Sequence, residues 1–195
     1  MRRPAVFLDR DGTINEQVGY VNHISRFVLL PGTAEAIRLL NSRDYLAIII
    51  TNQSGVARGY FPLELVDKVH NHLKDLLRKE GATIDGIFVC PHYPGGEVKE
   101  YGIDCNCRKP RPGLIQTALE NFDIDVSRSY VIGDRNTDMK LANQCGLKGI
   151  LVRTGYGVGD LEYVLPQSQV KPNHVADDLL DAVLWIIENA RAGES

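Results

Sequence analysis

"AVFLDRDGT", residues 5–13, decides how the rest of the chain is read. Four apolar residues run straight into Asp9 and Asp11, separated only by Arg10, and then into Gly12 and Thr13. An apolar run without alternation suits a strand buried on both faces. Four more runs share the pattern: "LAIIIT" (46–51), "GIFVC" (86–90), "YVIGD" (130–134) and "GILVR" (149–153). Helical spacing fills the intervals. Residues 32–43 set Ala36, Ile37 and Leu40 on one face, and 62–79 open at Pro62 and carry Leu65, Val66, Val69, Leu73, Leu76 and Leu77. Residues 112–122 and 135–145 read the same way, and a last helix over 177–191 should end near Gly193. Strands alternating with helices predict an α/β fold, a parallel sheet flanked by helices.

The bulk properties narrow the class. A chain of 195 residues fits one domain, 1–195, with no internal repeat and no low-complexity linker. The apolar fraction of 44% and the charged fraction of 24% are those of a globular protein. A net charge of −3 without a polybasic run argues against nucleic acid as a partner. No apolar run approaches the roughly 20 residues of a membrane span, and the first one stops at Asp9, too short for a signal peptide. The cytoplasm is the expected compartment and a monomer the default. In the cytoplasm four cysteines are expected to be reduced, metal-bound or buried.

In an open parallel sheet, ligands bind beyond the carboxyl ends of the strands. The residues there are Asp9, Thr51, Cys90, Asp134 and Arg153. Two carboxylates one residue apart repel unless a cation holds them, and a hard metal such as Mg²⁺ does so. An Asx-rich turn and a calcium loop are the competing readings; an EF-hand is disfavoured because its twelfth position is Tyr20. Thr51 and Asn52 suit an anion or an ordinary polar turn. Asp134 and Asp138 suit a site or a helix N-terminus.

One stretch breaks the rhythm. Residues 91–111 are rich in Pro, Gly, Cys and charge, and are too long for an idle connection. The loop 90–109 has Cys90 and His92 at one end and Cys105 and Cys107 at the other, a Cys₃His set that fits a structural Zn²⁺. The one-residue gaps match no generic finger, and buried or incidental thiols are the alternatives. Cys145 reads as a buried apolar thiol, His70 and His72 as solvated, and His23 as a surface residue in the loop that follows Asp9 and Asp11. His174 has no nameable partner.

Together these motifs resemble the haloacid dehalogenase-like superfamily over residues 5–153: Asp-x-Asp-Gly-Thr after the first strand, Thr-Asn after the second, Lys109, and Gly-Asp-x-x-x-Asp after a later strand. The resemblance implies a Rossmann-like core and an Mg²⁺-dependent phosphatase. Asp9 would be the nucleophile and Asp11 the acid and base, with Thr51 and Lys109 on the phosphoryl group. Asp9, Asp134 and the main-chain carbonyl of Asp11 would hold Mg²⁺, and Asp138 would orient Lys109.

"FLDRDGTIN…GYV" (7–21), "TNQSGVARGYF" (51–61), "CPHYPGG" (90–96), "CNCRKPRPG" (105–113) and "VIGDR" (131–135) are similar, more narrowly, to the D-glycero-D-manno-heptose-1,7-bisphosphate 7-phosphatases. That likeness implies a minimal cap, a zinc-stapled loop and removal of the 7-phosphate of a small phosphorylated sugar, on the route to nucleotide-activated heptose and lipopolysaccharide precursors. It casts Gly19, Tyr20, Asn52, Gln53, Ser54, Arg108 and Arg135 as substrate contacts. Arg135 stands where Lys is common in that family, and Gln17 and Val18 where an acidic residue or His is commoner. Histidinol-phosphate phosphatase is the nearest alternative, polynucleotide 3′-phosphatase a more distant one. A non-catalytic zinc-stapled binding module belongs to a different class, and would be expected to lack one of Asp9, Asp11, Lys109 or Asp134.

Overall fold

The computed structural model describes residues 2–192. The strands are β1 (Ala5–Leu8), β2 (Leu46–Asn52), β3 (Gly86–Cys90), β4 (Tyr130–Gly133), β5 (Lys148–Val152) and β6 (His174–Ala176). They form one sheet in the order β3-β2-β1-β4-β5-β6, parallel throughout. The first five fall on the five apolar runs. The sixth was not among them: three residues at a sheet edge give too little pattern to separate from a loop.

The helices are α1 (Thr33–Ser42), α2 (Leu63–Lys79), α3 (Gly113–Asn121), α4 (Asn136–Gln144), the single turn α5 (Gly157–Gly159) and α6 (Leu179–Ala192). The turn α5 runs on into a wide turn (Asp160–Val164) and a tight one (Leu165–Gln167). Helix α6 starts two residues later than the 177 expected. Its expected stop at Gly193 lies outside the described residues.

Side chains alternate across each strand, so the sheet has two buried faces. Val6, Leu8, Ala47, Ile49, Ile132 and Ile150 face α1, α2 and α6, meeting Ile37, Leu40, Leu73, Leu77, Val183 and Ile186. Ala5, Phe7, Ile48, Ile50 and Val131 face α3 and α4, meeting Leu114, Ile115, Ala118 and Leu141. Burial on both sides explains why these strands carry no polar alternation.

The topology sets the site. From β1 the chain builds outward to β2 and β3, then returns to the other side of β1 for β4, β5 and β6. The connections after β1 and β4 therefore diverge, and a crevice opens above their carboxyl ends. Leu8 is in register with Ile132, and the Asp9 N–H donates to the Ile132 carbonyl at 2.9 Å. Asp9 and Asp134 thus leave the sheet on neighbouring strands.

The segment between β3 and α3 has no helix or strand. Its backbone is tied elsewhere: Val98 N–H donates to the Ala57 carbonyl, and Gly113 N–H to the Asn106 carbonyl, both at 2.9 Å. Phe7 is fully buried against α3 and α4 in the middle of the sheet. Phe7→Ala should cost about 3–5 kcal/mol of unfolding free energy, read from urea denaturation.

Candidate active site

Asp9 is the first residue beyond β1 and forms part of the floor of a cavity of about 270 Å³. Its Oδ1 accepts the Arg10 N–H at 2.7 Å and lies 2.8 Å from the Lys109 ammonium. Among the described residues its other oxygen, Oδ2, accepts no hydrogen bond, so it faces the cavity free. Lys109 is 4% exposed and also lies 2.8 Å from Asp138 Oδ1. Burial disfavours its charge, but Asp138 and Asp9 overcome that and raise its pKa. Asp138, in the first turn of α4, stands beside Lys109 as expected, and its Oδ2 accepts the Arg135 N–H at 3.3 Å.

Asp134 follows β4 and is fully buried. Its Oδ2 accepts the Tyr156 N–H at 2.8 Å, while among the described residues Oδ1 has no hydrogen-bond partner. Gly12 and Gly155, both at positive φ, press on this carboxylate; a Cβ on either would run into Asp134 Oδ2. Thr154 closes the arrangement by donating its hydroxyl to the Gly12 carbonyl at 2.6 Å. Burial, then Asp9 and Asp138, push Asp134 up to about 8. Burial likewise raises Asp9 to about 6, against the pull of Lys109.

Oxygens of Asp9, Asp134 and Asp138 lie within 4.8 Å of one another. Three acids around one ammonium, with a buried carboxylate oxygen unpartnered, fit a hard divalent cation. The Asp11 carboxylate turns to Arg10, which leaves its main-chain carbonyl for the role expected of it beside Asp9 and Asp134; Asp138 is the third carboxylate of the cluster.

Asp11 has a different environment from Asp9. Arg10 Nη2 donates to both its oxygens at 2.8 Å, Asn15 to Oδ1 at 3.0 Å and Gln53 to Oδ2 at 2.8 Å. Burial opposes its charge, but the Arg10 guanidinium and these donors outweigh it and hold Asp11 below the usual range. Arg10 is 1% exposed, and its Nη1 lies 3.2 Å from His70 Nε2 on α2. His70 is therefore buried, not solvated as expected. Burial and Arg10 lower it to about 3, so a neutral ring accepts from the guanidinium. The pattern on α2 concealed this, because a histidine on the inner face looks like a solvated one until its partner is known.

The Thr-Asn-Gln run after β2 turns partly inward. Thr51 is 1% exposed and accepts from Gln53 Nε2 at 2.9 Å, which leaves its hydroxyl proton to donate. Asn52 clasps the Lys109 main chain, accepting its N–H at 3.0 Å and donating to its carbonyl at 3.2 Å. Asn52 and Gln53 border the cavity, yet their amides already hold Lys109 and Asp11. Gly19, Tyr20, Ser54, Arg108 and Arg135, the expected substrate contacts, line the same cavity. Gln17 joins them and accepts the Gly19 N–H at 2.9 Å. Thr137 and Tyr156 also line it; sequence reading missed them because the fold alone brings the chain after β5 beside Asp134. A larger groove of about 560 Å³ beside Tyr60 contains none of these acids and not Lys109. Arg153 points away, half-exposed and 3.4 Å from Asp177. His23 caps its own turn by accepting the Ser25 N–H, and Cys145 is only half-buried.

The loop cysteines converge. Cys90 and Cys105 sulfurs are 3.6 Å apart, Cys105 and Cys107 3.4 Å, and His92 Nδ1 lies 3.2 Å from Cys107 and 3.8 Å from Cys90. A tetrahedral zinc with Zn–S near 2.3 Å needs edges of roughly 3.7 Å. The four residues thus fit a metal they would enclose completely. Cys107 is followed directly by Arg108 and Lys109.

Protons and a divalent cation compete for Asp134. Without the cation the folded state binds protons that the unfolded chain releases above about pH 4, so metal-free stability should fall as pH rises from about 4 to about 8. Calorimetry should accordingly find Mg²⁺ binding tighter at pH 8 than at pH 6, and Mg²⁺ should raise the melting temperature more at pH 8.

Known proteins resemble this chain over nearly its whole length. The family model described as "HAD-hyrolase-like" matches residues 106–182. A Thermosynechococcus vestitus protein named D-glycero-D-manno-heptose-1,7-bisphosphate 7-phosphatase is 42% identical over 190 residues, 95% of this chain and 96% of that protein. The Escherichia coli K12 D-glycero-beta-D-manno-heptose-1,7-bisphosphate 7-phosphatase is 38% identical, covering 91% of each. Among solved structures, the D,D-heptose 1,7-bisphosphate phosphatase from B. bronchiseptica, complexed with magnesium and phosphate, matches with a TM-score of 0.83 at 31% identity, covering 95% of this chain and 99% of that one. With such identity over nearly the whole length, this chain belongs to the D-glycero-D-manno-heptose-1,7-bisphosphate 7-phosphatase family, within the haloacid dehalogenase-like hydrolases.

Proposed function

We propose that this chain hydrolyses the 7-phosphate of D-glycero-D-manno-heptose 1,7-bisphosphate through an aspartyl phosphate on Asp9, leaving heptose 1-phosphate, in the cytoplasm. The observation that carries this reading is the unbonded Asp9 Oδ2 on the cavity floor, with Lys109 against the other oxygen of the same carboxylate. The relatives' names supply the substrate. Asp9, Asp134 and the Asp11 main chain would hold Mg²⁺, which supplies charge neutralisation between the phosphate and the acids when bound.

Asp9 Oδ2 attacks phosphorus, and the bond from phosphorus to the sugar oxygen breaks. Lys109 balances charge on the phosphoryl group, and Thr51 donates its spare proton to a phosphoryl oxygen. The leaving oxygen takes a proton from Asp11. Asp11 is ionised in the resting site, so that proton arrives with a substrate monoanion or from solvent; a bound phosphate beside Asp11 raises its proton affinity. In the second half, water loses a proton to Asp11 and attacks phosphorus, releasing Asp9 and inorganic phosphate. Arg10, Asn15 and Gln53 keep Asp11 aimed through both transfers. Arg108 and Arg135 at the mouth take the end of the sugar that does not react.

Zn²⁺ on Cys90, His92, Cys105 and Cys107 would tie the loop and do no chemistry, because protein fills all four positions. A loop held in advance spares Lys109 the ordering entropy of meeting phosphate.

Asp9→Asn tests the nucleophile. Turnover should fall at least about a thousandfold, with melting temperature and zinc content near wild type because Lys109 keeps Asp138. Unchanged turnover would sink the mechanism. On the wild type, kcat/KM for both anomers of the bisphosphate should exceed that for histidinol phosphate; the reverse order would move the substrate.

Cys105→Ser tests the staple with all three site aspartates intact. Elemental analysis should show zinc lost, and kcat/KM should fall about 10–100-fold even in excess Mg²⁺.

A further inference from the structure

Three arginines stand at or behind the cavity mouth with their guanidinium groups over aromatic rings. The guanidinium carbons of Arg58 and Arg108 lie 3.8 and 5.1 Å from the centroid of the Tyr93 ring. That of Arg135 lies 4.6 Å from the centroid of the Tyr156 ring. Among the described residues none of the three forms an ion pair, whereas Arg2, Arg3, Arg10, Arg78, Arg111 and Arg153 each reach an aspartate; Arg26, Arg38, Arg43 and Arg128 are also without an ion pair, but none of these lies over a ring.

The difference has an electrostatic consequence. A carboxylate fixes a guanidinium and cancels its charge. A ring face attracts the cation through its quadrupole, adds no opposing charge, and leaves the field intact for a third group.

The segments that carry both rings are tied down. Tyr93 follows a zinc-set residue, its N–H donates to the Tyr101 carbonyl at 3.1 Å, and Arg58 packs on it from the turn after β2. Arg58 does not line the cavity, and among the described residues its Nε is buried without a hydrogen-bond partner; packed on the ring at 3.8 Å, it braces it. Val98 N–H to the Ala57 carbonyl ties the same loop to the same turn. Arg108 gains one further restraint, Nη1 donating to the His92 carbonyl at 3.2 Å. On the other side, the Tyr156 backbone is anchored to Asp134 Oδ2 at 2.8 Å.

We propose that Tyr93 and Tyr156 are positioning residues that hold Arg108 and Arg135 aimed and un-neutralised for the substrate's second anionic group, the phosphate that is not cleaved. The inference rests on the sugar-bisphosphate reading above.

The test compares kcat and KM on the heptose bisphosphate and on heptose 7-phosphate, which differ only in that second phosphate. Zinc content is measured on every variant. Tyr93→Leu and Tyr156→Leu should each lower the preference for the bisphosphate about tenfold, through KM and not kcat. Tyr93→Phe and Tyr156→Phe keep the ring and should retain the preference. Tyr93→Glu, which can hold the guanidinium groups but cancels their charge, should lose it as Tyr93→Leu does. Leucine variants that keep the preference, or lose both substrates equally, would overturn the proposal. So would a glutamate variant that keeps the preference, or zinc lost from both leucine variants. A wild type with no preference for the bisphosphate would instead bring down the substrate reading, and this inference with it.

Discussion

The Lys109 ammonium, buried between Asp9 and Asp138, is the contact on which the rest of the site depends. An unpaired charge at that depth costs several kcal/mol, so lysine and acids must arrive together. They come from three places: the end of β1, the first turn of α4, and a loop with no regular structure. The first two are carried by the sheet. The third has to be placed by other means, and the chain supplies two: Asn52 clasps the Lys109 backbone, and the Cys₃His cluster gathers the loop immediately before it.

Around that contact, charge is distributed with a clear division. Asp9 and Asp11 are two residues apart and have opposite environments. Asp9 keeps one oxygen free and is raised to about 6, while Asp11 is saturated with donors and held low. Arg10 makes the split: it leaves the strand between them, its guanidinium goes to Asp11 while only its backbone N–H meets Asp9, and it is backed by a neutral His70. At the mouth the logic is reversed, and guanidinium groups are held by rings that leave them charged.

Much of this was legible in residue order. Five apolar runs gave five of six strands because burial on both faces demands continuous apolar sequence. Asp9, Asp134, Lys109 and the Cys₃His set were visible as residue types at strand ends and in one irregular loop. What failed to show was whatever depends on which way a side chain turns. His70 looked solvated, and Asn52 and Gln53 looked free for substrate. Each is decided by a neighbour distant in sequence: Arg10 lies 60 positions from His70, and Lys109 57 from Asn52.

The sequence alone thus determined the parallel sheet, the order of its strands along the chain, and the identity of the chemistry-bearing residues, because burial and ligand chemistry act through residue type and short spacing. Only the tertiary structure decided which carboxylate stays free, which is neutralised, and that the chain after β5 brings Tyr156 to the mouth. Those outcomes follow from the switch in strand order at β1 and β4, which brings segments more than a hundred residues apart into one desolvated crevice, where each charge is fixed by whatever partner lies within hydrogen-bond reach.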